Sequence, residues 1–121
     1  MKENILKEKG YAFALRIIKL YKYMAQEHRE YTLSKQVLRS GTSIGANIEE
    51  SIHAQSKTDF IHKLSIAQKE ASETNYWIRL LRDSDYLNSS LSDSLLRDCD
   101  EIQRLLTASI KTAKSNLKNV Q

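Results

Sequence analysis

The sequence predicts an all-α fold, a single up-down-up-down antiparallel four-helix bundle that assembles into an oligomer. Three observations point there. Apolar residues recur at spacings of three, four and seven along most of the chain. No proline occurs anywhere in the 121 residues, so nothing forces a break in a long helix. Turn and cap residues gather around Glu30-Tyr31-Thr32, Ala54-Gln55-Ser56 and Asp83 to Ser90, which leaves helices at about 4–29, 33–53, 57–82 and 91–115. With 40% hydrophobic and 28% charged residues, residues 1–121 make one globular domain with a real core.

The first helix carries Leu6, Phe13, Ile17, Leu20 and Met24 on one seam. Beside it lie Ala12, Ala14, Leu15, Ile18, Tyr21 and Tyr23, more apolar surface than one groove needs, and self-association is the simplest reason. Thr32 is positioned to cap the second helix, along which Val37, Ile44, Ile48 and Ile52 keep the helical rhythm. Gly41 and Gly45 interrupt that rhythm with small residues four apart. Each costs about 1 kcal/mol against alanine inside a helix, so their retention predicts close approach of a neighbouring helix.

Ser56 and Asp59 form a Ser-x-x-Asp start for the third helix. Phe60, Leu64, Ala67, Ala71, Thr74, Ile78 and Leu81 then alternate spacings of four and three, the cleanest heptad pattern in the chain. In the fourth helix Leu95, Cys99, Ile102, Leu106, Ser109 or Ile110, Ala113 and Leu117 continue the apolar face, with fraying expected from Ser115 onward. Folding the second and third helices together about Ala54-Gln55 sets Arg39 near Ala71, within a turn of Glu70 and Glu73, Ser43 near Ala67, so that small residues face small residues of the third helix, and Asn47 near Lys63. A cross-helix ion pair and a register-setting asparagine follow as expectations.

Enzymatic chemistry finds little support. A ferritin-like metal centre needs inward carboxylates and Glu-x-x-His pairs at mid-bundle. Glu50-x-x-His53 and Asp59-x-x-His62 flank a turn instead, and no metal or other cofactor is expected. The Gly41–Gly45 stretch lacks the Gly-Lys-Ser/Thr of a phosphate loop. Cys99 sits on an apolar face, where a small buried hydrophobe is the default. One cysteine fits a reducing cytoplasm, and an N-terminus with interleaved charges fits neither a signal peptide nor a membrane span.

Charge placement says more than the net charge of +4. Arg104, Lys111, Lys114 and Lys118 recur at seven, three and four, and no acidic residue follows Glu101. Lys9, Arg16 and Lys19 form a second stripe on the first helix, while Asp83, Asp85, Asp93, Asp98, Asp100 and Glu101 are expected at the other end. Such stripes attract polyanions without base readout. They equally describe a solvated face with cations complementing a helix C-terminus.

The run Arg39-Ser40 to Ser43, Asn47-Ile48-Glu49-Glu50, then Asp59-Phe60 and Ala67 to Glu73-Thr74, resembles the four-helix bundle proteins encoded in intervening sequences of bacterial 23S rRNA genes. The family is related to the accessory variability determinant proteins of diversity-generating retroelements. Ser51 and Gly45 depart from its pattern, standing where glycine and proline are common. The resemblance implies a homo-oligomer, typically a pentamer, without catalysis or small-molecule substrate. It also implies nucleic acid as partner, RNA ahead of DNA. A protein-interaction scaffold is the other class of function, motivated by the wide apolar surface of the first helix.

Overall fold

The computed structural model describes the backbone of residues 2–120 and the side chains of residues 5–118. Within them are four α-helices and no strand: α1 Lys2–Tyr23, α2 Thr32–Ile52, α3 Lys57–Asp83 and α4 Ser89–Val120. A π-helical turn, Met24–His28, extends α1. It ends where Arg29 adopts the left-handed conformation, φ 51°, and returns its N–H to the Met24 carbonyl.

Thr32 does not cap α2. The Glu30 carboxylate does, accepting the backbone N–H groups of Thr32, Leu33 and Ser34 at 2.9–3.1 Å. A glutamate two residues before the helix has the reach to cover three orphan donors, where a threonine hydroxyl covers one. Ser56 caps α3, accepting from the Asp59 N–H at 3.0 Å, and Asn88 caps α4 through the Leu91 N–H at 2.8 Å. α4 runs past the end expected near residue 115 and continues to Val120. No glycine or proline stops it, and Ala113 and Leu117 stay half-buried.

The core contains Leu6, Phe13, Ile17, Leu20 and Met24 of α1 with its π turn, and the apolar faces of the other three helices. Ile52, expected on the α2 seam, is instead exposed, and Phe60 is half-buried. Both lie beside the α2–α3 turn, at an end of the bundle. Contacts between consecutive helices pair rising with falling residue numbers: Ser40 with Thr74, Ser43 with Glu70 and Glu50 with Lys63. The same holds for Gln68 with Thr107 and Ser72 with Gln103 across α3 and α4.

The glycines do mark a close approach, and the partner is α1. A Cβ on Gly45 would lie 3.0 Å from the Gly10 carbonyl oxygen, and one on Gly41 would lie 2.7 Å from Ile17. Gly10 itself faces the Gly45 Cα, so backbone meets backbone. The sequence signal for Gly10 was its place in the seam, four after Leu6 and seven before Ile17.

Candidate nucleic-acid interface

The residues between α2 and α3 are structural. Arg39 is half exposed and bridges Glu70, at 3.3 Å, and Glu73. The Glu73 hydrogen bond, ahead of smaller contributions, holds its pKa above the ordinary arginine value. Glu73 also accepts the Trp77 indole N–H at 3.0 Å, the main reason its carboxyl titrates below the ordinary range. Asn47 departs from expectation: its amide donates to the Ser43 carbonyl and hydroxyl of its own helix. Asparagine i+4 to a serine finds acceptors one turn back, so no cross-helix bond is needed to satisfy that amide.

The basic candidates divide into two groups. Lys9 pairs with Glu101 at 3.2 Å, Arg16 with Asp98 at 2.7 Å and Arg104 with Asp100 at 2.7 Å. The stripe on α1 is therefore partly neutralised by α4, and Asp98 and Glu101 lie against it instead of clustering at a separate acidic end. As part-exposed pairs these contribute roughly 0–1 kcal/mol each. Among the described residues, Lys19, Lys111, Lys114 and Lys118 are exposed and make no ion pair. The side chains of Lys2 and Glu3 lie outside those described.

Lys111, Lys114 and Lys118 sit at i, i+3 and i+7 on the surface of α4, flanking the face that carries the buried Ile110 and half-buried Ala113 and Leu117. From Ile102 onward the sequence holds no Asp or Glu on the same helix to neutralise them. The stripe starts one turn beyond Thr107, whose hydroxyl accepts a hydrogen bond from Gln68. Its chemistry is that of a polyanion surface, with three flexible point charges and no fork for base edges.

The histidine motifs do not converge. Glu50 is taken by Lys63 at 2.9 Å, and His53 and His62 are exposed. Among the described residues no group of three or more His, Cys, Asp or Glu could hold a metal ion. The Cys99 thiol is buried and donates to the Ala71 carbonyl, and burial first, then neighbouring carboxylates, pushes its pKa up to about 12. No described helix is long and apolar enough to cross a membrane.

One family, described as 23S rRNA-intervening sequence protein, matches residues 2–108. The chain belongs to that family. A similar solved structure is the 1.70 Å crystal structure of a protein with unknown function from the S23 ribosomal protein family of Bacteroides thetaiotaomicron VPI-5482. It shares 51% identity and a TM-score of 0.91, over 92% of this chain and 99% of that one. Among curated proteins none matches. Lys111, Lys114 and Lys118 lie past the residues matched to the 23S rRNA-intervening sequence family, so the stripe is read from this chain's own residues.

Proposed function

We propose that this member of the 23S rRNA-intervening sequence family is a non-catalytic, cytoplasmic up-down-up-down bundle. It assembles as a homo-oligomer, a pentamer, and binds structured RNA in preference to DNA. The observation that carries it is the exposed stripe Lys111, Lys114 and Lys118, which makes no ion pair among the described residues and lies on a helix segment without Asp or Glu. Repetition of that stripe in each copy raises avidity without any new contact. Antiparallel pairing of contacts between consecutive helices supports the up-down topology. Kinship with the retroelement accessory proteins, suggested by the Arg39–Glu50 run, fits the same picture.

Binding of a labelled structured RNA at graded salt tests this. Affinity is expected to fall steeply with salt. Changing Lys111, Lys114 and Lys118 to glutamine is expected to lower the log–log slope by about one per lysine that contacts phosphate. Absence of binding at low salt, or an unchanged slope, overturns it. The second reading, a protein-interaction scaffold, is favoured by Tyr11, Leu15 and Ile18, which are 64%, 50% and 36% exposed on the outer face of α1. Capture of a defined protein that withstands nuclease and high salt would favour it.

A further inference from the structure

Beyond phosphate contacts, we propose that the α3–α4 face binds an unpaired RNA base stacked on Tyr76. The inference rests on the RNA reading above and names the part of the ligand that this face takes. Tyr76 is 47% exposed, on a helix whose other large apolar residues are buried or half-buried. Its ring is nevertheless held in place. Trp77 meets it edge to face, with centroids 5.3 Å apart at 64°, and the Arg79 guanidinium lies over it, 5.8 Å from its centroid.

Both supports are themselves fixed. The Trp77 indole N–H donates to Glu73 at 3.0 Å, and Arg79 Nε donates to Asn75 at 2.8 Å. An exposed aromatic ring anchored beside a guanidinium is a stacking platform for single-stranded bases, which present a π-face whatever their sequence.

The same face carries the lysines. Ser72 bonds Gln103 and Gln68 bonds Thr107, so these four residues mark the outer seam of α3 and α4. Tyr76 lies one turn beyond Ser72 in one direction, and Lys111 one turn beyond Thr107 in the other. At 1.5 Å per residue, Tyr76 and Lys111 are separated by about 18 Å along the bundle and Tyr76 and Lys118 by about 28 Å. Lys69, seven before Tyr76, is exposed on the same side of α3. The flanking carboxylates Asp83 and Asp100 are each held by an arginine, Arg82 and Arg104. A tyrosine beside an arginine also suits a protein partner. The lysine track that continues from it, without an ion pair and without an exposed large apolar neighbour among the described residues of α4, favours a nucleic-acid strand.

Two RNAs sharing one stem, a hairpin with an unpaired loop and a blunt duplex, separate the possibilities by fluorescence anisotropy. The native protein is expected to prefer the hairpin. Tyr76→Ala is expected to weaken hairpin binding by roughly 5- to 150-fold, the range for loss of one base–aromatic stack, and to leave duplex binding alone. Tyr76→Phe should keep the preference. Trp77, the single tryptophan, should change its emission with the hairpin and not with the duplex. An unchanged hairpin-to-duplex ratio in Tyr76→Ala, with both affinities still lowered by the triple lysine change, overturns the stacking site and leaves the RNA reading standing. Failure of the native protein to bind either RNA at low salt overturns both. Retention of a protein partner that is lost in Tyr76→Ala, with no hairpin preference, assigns the face to protein instead.

Discussion

Replacing Gly45 by alanine adds one carbon where α1 and α2 are nearest. That carbon would stand 3.0 Å from the Gly10 carbonyl oxygen, 3.2 Å from its carbonyl carbon and 3.7 Å from the Tyr11 nitrogen. All three are backbone atoms of α1, and none can yield without shifting the helix. Helix propensity alone favours alanine by about 1 kcal/mol. Overpacking a close contact costs about 1–3 kcal/mol. The net is a loss of about 1 kcal/mol, or a fall of about 3–6 °C in Tm for a domain of this size. Urea unfolding at fixed chain concentration measures it, because assembly adds to apparent stability. Ala46→Gly, at the neighbouring exposed position, provides the propensity scale, a loss of about 1 kcal/mol. If Gly45→Ala instead gained about that amount, the interhelix contact would be exerting no constraint and the packing argument would be wrong.

Other outcomes follow from single residues. Burial pushes the Glu30 carboxyl up, but the N–H groups of Leu33, Ser34 and Thr32 outweigh it and hold its pKa below the ordinary value. A depressed carboxylate adds stability above its unfolded pKa and loses it as pH falls through the folded one. Glu30→Gln should therefore cost about 1 kcal/mol at neutral pH, with the difference from native shrinking in acid, as pH-dependent thermal melts would record. A gap that stays constant down to acid pH would remove the capping role. Cys99, with a pKa pushed up to about 12, should resist a thiol-reactive dye at pH 8 until the chain is unfolded. Stoichiometric labelling of the native protein would contradict its burial.

Helical spacing made much of this fold legible. The α3 heptad named six residues that are buried, from Leu64 to Leu81, with only Phe60, beside the α2–α3 turn, left half-exposed. The Arg39–Glu70–Glu73 cluster was legible as well, because a short turn between α2 and α3 fixes their register. What periodicity gives is a face, and it does not name the helix across from it. Gly41 and Gly45 were readable as a close contact, yet that they meet Ile17 and Gly10 on α1 depended on packing.

The charges failed for a related reason. No loop joins α1 to α4, so nothing local sets their relative register. Two of the three basic residues of the α1 stripe, Lys9 and Arg16, find carboxylates that the sequence assigned elsewhere. Asn47 and Thr32 show the limit of residue-type rules. Each has a side chain suited to the expected bond, and each position was decided by a nearer competitor, Ser43 for the amide and Glu30 for the cap.

The backbone contact between Gly10 and Gly45 also bears on whatever settles against the exposed Tyr11, Leu15 and Ile18. Two helices locked that tightly behave as a stiff plank, and the three side chains ride on it at fixed separations. A visitor docking on that strip would meet a backbone already in place and would forfeit little backbone entropy on arrival. Inserting bulk at Gly45 would loosen the plank, weakening capture there without altering any residue that the visitor touches.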